Sequence, residues 1–158
     1  MITNFAPTTS HNLGGYRAFK FVLLSQIATF PMIFGGKTVA GITLKPNQVP
    51  YIGYATYETL LFSETAEENK QGIFYTQKLS GYLPGDSEAQ VNLMEEMQRN
   101  YFIVIATDAN GFMRLIGSPA NPLSFKADFD SSATRSGARG YSFEFSALSP
   151  FRAPHYIP

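Results

Sequence analysis

An Asn-Gly pair set between two apolar runs constrains this chain more than any other feature. Phe102 to Thr107 leads into Asp108-Ala109-Asn110-Gly111, and Phe112 to Gly117 carries the chain back. Asn tolerates the left-handed backbone region and Gly is indifferent to it, so the pair supplies the positive φ angles of a tight hairpin turn. Two further segments alternate with a period of two. Leu123 to Phe129 and Tyr141 to Ala147 each place odd-numbered apolar residues on one face and polar residues on the other. Each is predicted to be a half-buried strand. The last third of the chain is thus rich in architecture and poor in chemistry, which favours a building block over an enzyme.

Upstream, the polar stretch Ile2 to Gly15 predicts an N-terminal arm over residues 1–15. Tyr16 to Ser25 predicts the first strand, and Pro31 stops the segment after it. Gly35-Gly36-Lys37 predicts a turn into a second strand, Thr38 to Leu44, closed by Pro46-Asn47. A third strand or strand pair is expected over Tyr51 to Ser63, an acidic loop over Glu64 to Lys70, and a further strand over Gly72 to Leu83.

One helix is predicted, over about 87–99. Ser87-Glu88-Ala89-Gln90 has the spacing of a capping box, with the Ser87 hydroxyl accepting from the Gln90 amide and the Gln90 side chain reaching back to the Ser87 amide. Ala89, Leu93 and Met97 fall on one stripe, with Met94 beside them, and are expected to pack on a sheet. Tyr101 to Ala106 is an unbroken apolar run, as in a central strand covered on both faces. The order of elements describes a mainly β (α+β) fold: an antiparallel β-sandwich or small barrel with one flanking α-helix. The single β-rich domain is expected over 16–148, followed by an extended C-terminal arm over 149–158.

A length of 158 residues suits one core. Charged residues make up 15% of the chain, against roughly a quarter in an average soluble protein, so more of the surface than usual is uncharged and partners are expected to cover some of it. Twelve basic residues against twelve acidic ones argue against a protein whose main business is a nucleic-acid backbone. The charge is uneven: Glu58, Glu64, Glu67, Glu68, Asp86, Glu88, Glu95 and Glu96 face only Lys70 and Lys78 in the middle segment. This reads either as a solvated acidic surface or as one half of a self-complementary pair. The N-terminus lacks the pattern of a secretory signal and no apolar run approaches the roughly 20 residues of a membrane span. The expectation is a protein kept in a cytoplasm, or exported without a signal peptide, with no membrane partner.

Chemistry-bearing patterns fail on inspection. There is no cysteine, and the two histidines, His11 and His155, lie in the terminal arms. Gly36-Lys37-Thr38 resembles the end of a P-loop, but the opening glycine position is Pro31 and a strand comes next where a helix is required. Asp128, Asp130 and Ser132 begin like a calcium loop, but Ala133 and Arg139 stand where glycine and glutamate are needed. Nine tyrosines keep a carbohydrate-binding sandwich in view, although there is no tryptophan. No catalytic residue, metal or cofactor is expected.

The segment Asp130 to Gly140 joins two strands that most simply pair with each other. It is a loop of small residues with Arg135 and Arg139, either an interaction element or a mobile surface loop. Arginine pairs bidentately with carboxylates, so Glu64, Glu67 and Glu68 of the acidic segment are its candidate partners. The tail from Ser149 to Pro158 cannot fold alone. Phe151, Arg152 and Tyr156 equip it to lie across a groove of its own domain or of a neighbour.

The run Tyr101 to Gly117, then Pro122 to Phe129, then Gly140 to Phe145 resembles structural proteins encoded in tail modules of bacteriophages and prophages of Bacteroidetes-type hosts. In that pattern a D-x-N-G-x-x-R-L-x-G hairpin precedes a P-L-x-F strand, a glycine-rich loop and a G-Y-x-F-x-F strand. Phage tail tube proteins are similar in plan. The resemblance implies a tail tube subunit, made in the host bacterial cytoplasm and carried in the virion tail, that forms stacked homo-oligomeric rings, hexameric symmetry being one option. Its partners would be its own copies and other tail or neck proteins, with DNA only as passing cargo. It further implies that the Ser131 to Gly140 loop and both terminal arms, with Arg135, Arg139, Phe151, Arg152 and Tyr156, make inter-subunit contacts, and that open sheet edges pair around the ring. A neck or tail-terminator ring and a glycan-binding β-sandwich are the alternatives. Deleting Pro150 to Pro158, or exchanging Arg135 and Arg139 for Glu, is expected to impair assembly and leave the fold intact.

Overall fold

The computed structural model describes residues 14–158, so the arm expected over residues 1–15 lies outside the described residues except for Gly14 and Gly15. β1 (Tyr16–Leu23) runs through a single 3-10 turn to β2 (Ile27–Thr29), and the short strands β3 (Ile33–Phe34), β4 (Lys37–Thr38), β5 (Thr43–Leu44) and β6 (Tyr51–Ile52) come after it. Then come β7 (Leu61–Asn69), β8 (Gly72–Pro84), the helix α1 (Glu88–Met97), β9 (Tyr101–Asp108), β10 (Met113–Ile116), β11 (Leu123–Asp130) and β12 (Gly140–Ser149). The fold is mainly β and antiparallel, with one α-helix among the described residues, as the sequence predicts.

The main sheet runs β6-β1-β9-β11-β12-β8-β7. β10 shares one edge of β9 with β11, pairing at Val104 to Thr107 while β11 pairs at Tyr101 and Phe102. The sheet curls until its ends meet: the Tyr16 N–H donates to Leu60 O at 3.2 Å, and the Tyr16 ring stands edge-on to Phe62 at 5.9 Å.

Alternation places Phe19, Phe102, Val104, Phe125, Phe143 and Phe145 inside the curl, where α1 covers them with Met94 and Met97. Phe145 is the hub, with ring contacts at 5.7 Å to Phe102 and 5.0 Å to Phe125 near the edge-to-face geometry that aromatic quadrupoles favour. On the opposite face of β1 and β9, a second cluster of Val22, Ile103 and Leu115 is covered by Ile27, Phe30, Ile42, Leu44 and Tyr156. The unbroken apolar run of β9 results from this double coverage.

Several local expectations are corrected. The tight hairpin turn lies at 108–111 as expected and is closed by Gly111 N–H to Asp108 O at 3.2 Å, but Gly111 alone, and not Asn110, takes a positive φ (+89°), in a three-residue loop. Asp108 Oδ1 accepts from the Asn110 and Phe112 amides and holds it. The expected acidic loop at 64–70 is strand: Glu67 pairs with Phe74 and Glu68 with Ile73, and the chain reverses at Lys70-Gln71. An edge strand keeps one side in water, so carboxylates are tolerated there. The strand or strand pair expected over 51–63 is β6 at Tyr51–Ile52 and the start of β7 at Leu61, with a turn between them in which Glu58 takes a left-handed φ of +63° and the Thr59 N–H donates to Thr56 O. The strand expected over 38–44 opens where the Ile42 N–H donates to the Tyr156 hydroxyl.

α1 keeps half of its predicted cap. Ser87 Oγ accepts from the Gln90 N–H at 3.2 Å, but the Gln90 side chain donates to Pro84 O instead of accepting from the Ser87 backbone N–H. Its buried stripe is Met94 and Met97, with Leu93 half exposed, because the helix lies across the mouth of the curl.

Candidate functional site

The strap formed by residues 150–158 is seated on its own domain. His155 bridges between β4 and β10: Thr38 N–H donates to His155 O and His155 N–H to Gly36 O, both at 2.9 Å, while Leu115 N–H donates to Pro154 O and Tyr156 N–H to Met113 O. Of the two seats open to the tail, its own groove is the one occupied.

Glu64 is the anchor. Its side chain, 9% exposed, accepts from Arg152 Nη1 at 2.9 Å and from the Ala153 N–H at 2.7 Å. The hydrogen bond to Glu64 raises the Arg152 pKa, and the guanidinium lies over the Tyr75 ring at 4.5 Å. Gln77, buried beside them, donates to Phe151 O at 3.0 Å and accepts from the Gly117 N–H at 3.3 Å. Nothing in the alternation of β8 marks Gln77 for this, since only the tail's placement gives it partners. Tyr156 is half-buried under Ile42, and Phe151 is exposed.

The arginine loop lies elsewhere. Arg139 pairs with Asp86 of the acidic segment at 3.0 Å within the same chain, and Arg135 is exposed. Glu67 and Glu68 sit near the far end of the β7–β8 hairpin and, among the described residues, hold no ion pair. The structure therefore unites Glu64, Arg152 and Tyr156 around the strap and keeps Arg135, Arg139, Glu67 and Glu68 apart from them.

A polar surface covers the outside of β8, β12 and β11. The register aligns Ser80, Glu144 and Lys126 in one row and Tyr82, Ser142 and Asp128 in the next, around a cleft of about 330 Å³. Lys78 pairs with Glu144 at 3.6 Å, and the buried Tyr82 hydroxyl has no hydrogen-bond partner among the described residues. Tyr82 leans over Gly140, where an added Cβ would fall 2.8 Å from that hydroxyl.

Where β1 meets β7, burial raises the Tyr16 pKa, and Asp108 and Glu64 add to the rise against the opposing charge and hydrogen bond of Arg114. Arg114 lies over the Phe62 ring and donates to Ala153 O at 2.8 Å.

Among the described residues no three His, Asp or Glu side chains form a group able to hold a metal, and no helix is long and apolar enough to cross a membrane. His11 lies outside the described residues. No family model matches the chain, and no match is found for it among curated proteins or among solved structures.

Proposed function

We propose that this chain is a virion structural protein, a phage tail tube subunit that assembles into stacked rings. The observation that carries the reading is the outer edge of β7, the nine-residue last strand of the sheet, which beyond the Tyr16–Leu60 contact has no strand partner on that side among the described residues. An edge of this length presents unpaired N–H and C=O groups and is a template for another chain. Exposed Leu61 and Ile73 on the β7–β8 hairpin support it, as does the similarity of the C-terminal motifs to phage tail proteins. Assembly then proceeds through edge pairing and surface contacts, without a cofactor. A neck or terminator protein would use the same edges and stop at one ring. Negative-stain electron microscopy with native mass measurement tests the reading: stacked rings or tubes with a central hole support a tube, a single discrete ring supports a terminator, and a stable monomer counts against both.

The outer-face cleft favours a second reading, a glycan-binding module. Tyr82 offers a ring, while Lys126, Asp128 and Glu144 offer donors and acceptors in a cleft between small serines. Saturation-transfer NMR against a panel of neutral oligosaccharides tests it, with Ser142→Phe, which fills the cleft, as the control.

A further inference from the structure

The geometry points to a head-to-tail contact in which the β3–β4 tip of one molecule enters the apolar groove beside α1 of a second copy. The inference rests on the reading that the chain assembles with itself, and names the surfaces that would do so.

The tip is a rigid apolar knob. Gly35 and Gly36 both take positive φ, +62° and +78°, in a two-residue turn that sets Phe34 opposite Lys37. Phe34 is 79% exposed and Met32 80%, with Val39 exposed beside them. Single exposed apolar residues are ordinary, but several on one hairpin form a patch. The hairpin is not free to tuck them away, because Val39 N–H donates to Met32 O and the backbone of His155 holds Gly36 and Thr38, each at 2.9 Å.

The groove lies between α1 and the β1–β6 pair. Phe21, Tyr51, Ile52, Tyr54, Leu93 and Met97 line two adjoining hollows of about 160 and 200 Å³. Ile52 on its rim is 83% exposed.

Charge assigns the occupant. Glu96 lines the groove beside Leu93, and Glu95 precedes it on the helix, whereas the knob carries Lys37 next to Phe34. Among the described residues neither Lys37 nor Glu96 has an ion-pair partner. An apolar knob with a cation therefore matches an apolar groove with carboxylates.

The knob cannot fill its own groove. From β4 the sheet passes through the strap, β10 and β9 before reaching β1, four strand spacings or roughly 19 Å, and the backbone bonds to His155 fix the hairpin there. Two different patches meeting between copies make a heterologous contact, which propagates into a ring or a filament.

Sedimentation velocity over a concentration series tests this on the full chain. Wild type is expected to associate, F34E to associate about thirtyfold more weakly, as for a buried interface anchor, and K37E and E96K each to weaken association a few-fold. The double variant K37E/E96K is expected to recover most of the loss. Circular dichroism of each variant establishes that the exposed substitutions leave the fold unchanged. F34E associating like wild type overturns the knob assignment while leaving self-assembly standing. A double variant no better than either single one overturns the Lys37–Glu96 pairing. A wild-type chain that stays monomeric at every concentration overturns both readings. Contacts within one chain, seen by NMR of the monomer, from the Leu93 methyls to Phe5 would put the chain's own amino-terminal segment in the groove and overturn the contact between copies.

Discussion

The Glu64 carboxylate accepts the backbone N–H of Ala153 at 2.7 Å, so a single side chain on the edge strand fixes where the C-terminal strap begins its descent onto the sheet. Ala153 is buried, so removing the acceptor leaves its amide unsatisfied. A charge-assisted bond of this kind contributes about 2 kcal/mol. Glu64→Ala is expected to lower the thermal midpoint by roughly 4–8 °C for a domain of this size, measured by calorimetry. Arg152→Ala, which removes only the exposed partner, is expected to leave the midpoint nearly unchanged.

Cutting the chain after Ser149 is expected to cost the fold, contrary to what the sequence suggests. The strap supplies backbone partners to Gly36, Thr38, Met113 and Leu115 and covers the second core cluster with Tyr156. Loss of near-ultraviolet dichroism in the truncated chain checks this. Arg135→Glu with Arg139→Glu is still expected to leave the fold intact, because the exposed Arg139–Asp86 pair contributes at most about 1 kcal/mol. Light scattering on that variant isolates any effect on assembly.

Alkaline pH is expected to weaken the meeting of β1 and β7. Tyr16 has its pKa raised in the folded state, chiefly by burial. Its contribution is thus complete below the unfolded tyrosine value of about 10 and is lost as pH rises through the folded one. Thermal midpoints of wild type and Tyr16→Phe should run parallel up to about pH 9 and then diverge, with wild type falling faster.

Gly140→Ala is expected to destabilise the domain by about 1–3 kcal/mol, since the new methyl would stand 2.4 Å from Leu83 O and 2.8 Å from the Tyr82 hydroxyl. Tyr82→Phe should do the reverse. It removes a buried hydroxyl that has no partner among the described residues, so stability by urea titration is expected to hold or rise.

Local signals in the sequence carry far where each residue's neighbours are near in the chain. The alternation at Leu123 to Phe129 and Tyr141 to Ala147, the Ser87 hydroxyl cap and the reversal at Gly111 all depend on contacts within a hairpin or a turn, and all lie where the sequence places them. Glu64 to Asn69 reads as a loop because strand formation there depends on β8 as a template, and a carboxylate-rich run has little β preference of its own. The strap's own groove is one of two seats the sequence allows, because its partners Glu64, Gln77 and Thr38 are distant in the chain. The groove and the knob leave no periodic trace at all: Ile52 looks like any other strand residue, and Phe34 like a loop residue before a glycine turn, until the sheet is assembled around them.

The pairing of β1 with β9 has a consequence for biosynthesis. β1 is among the first parts of the domain to be made and pairs early only with the two residues of β6, whereas its long ladder partner β9 comes after β7, β8 and α1 in the chain. The β7–β8 hairpin can zip while translation continues and Phe21 can stack early on Tyr51, whereas Phe19 lacks its ring partners Phe143 and Phe145 until strands made after β9 have left the ribosome. The nascent chain is therefore at its stickiest midway through synthesis, and the speed at which β9 and the strands after it are delivered sets how long that window lasts.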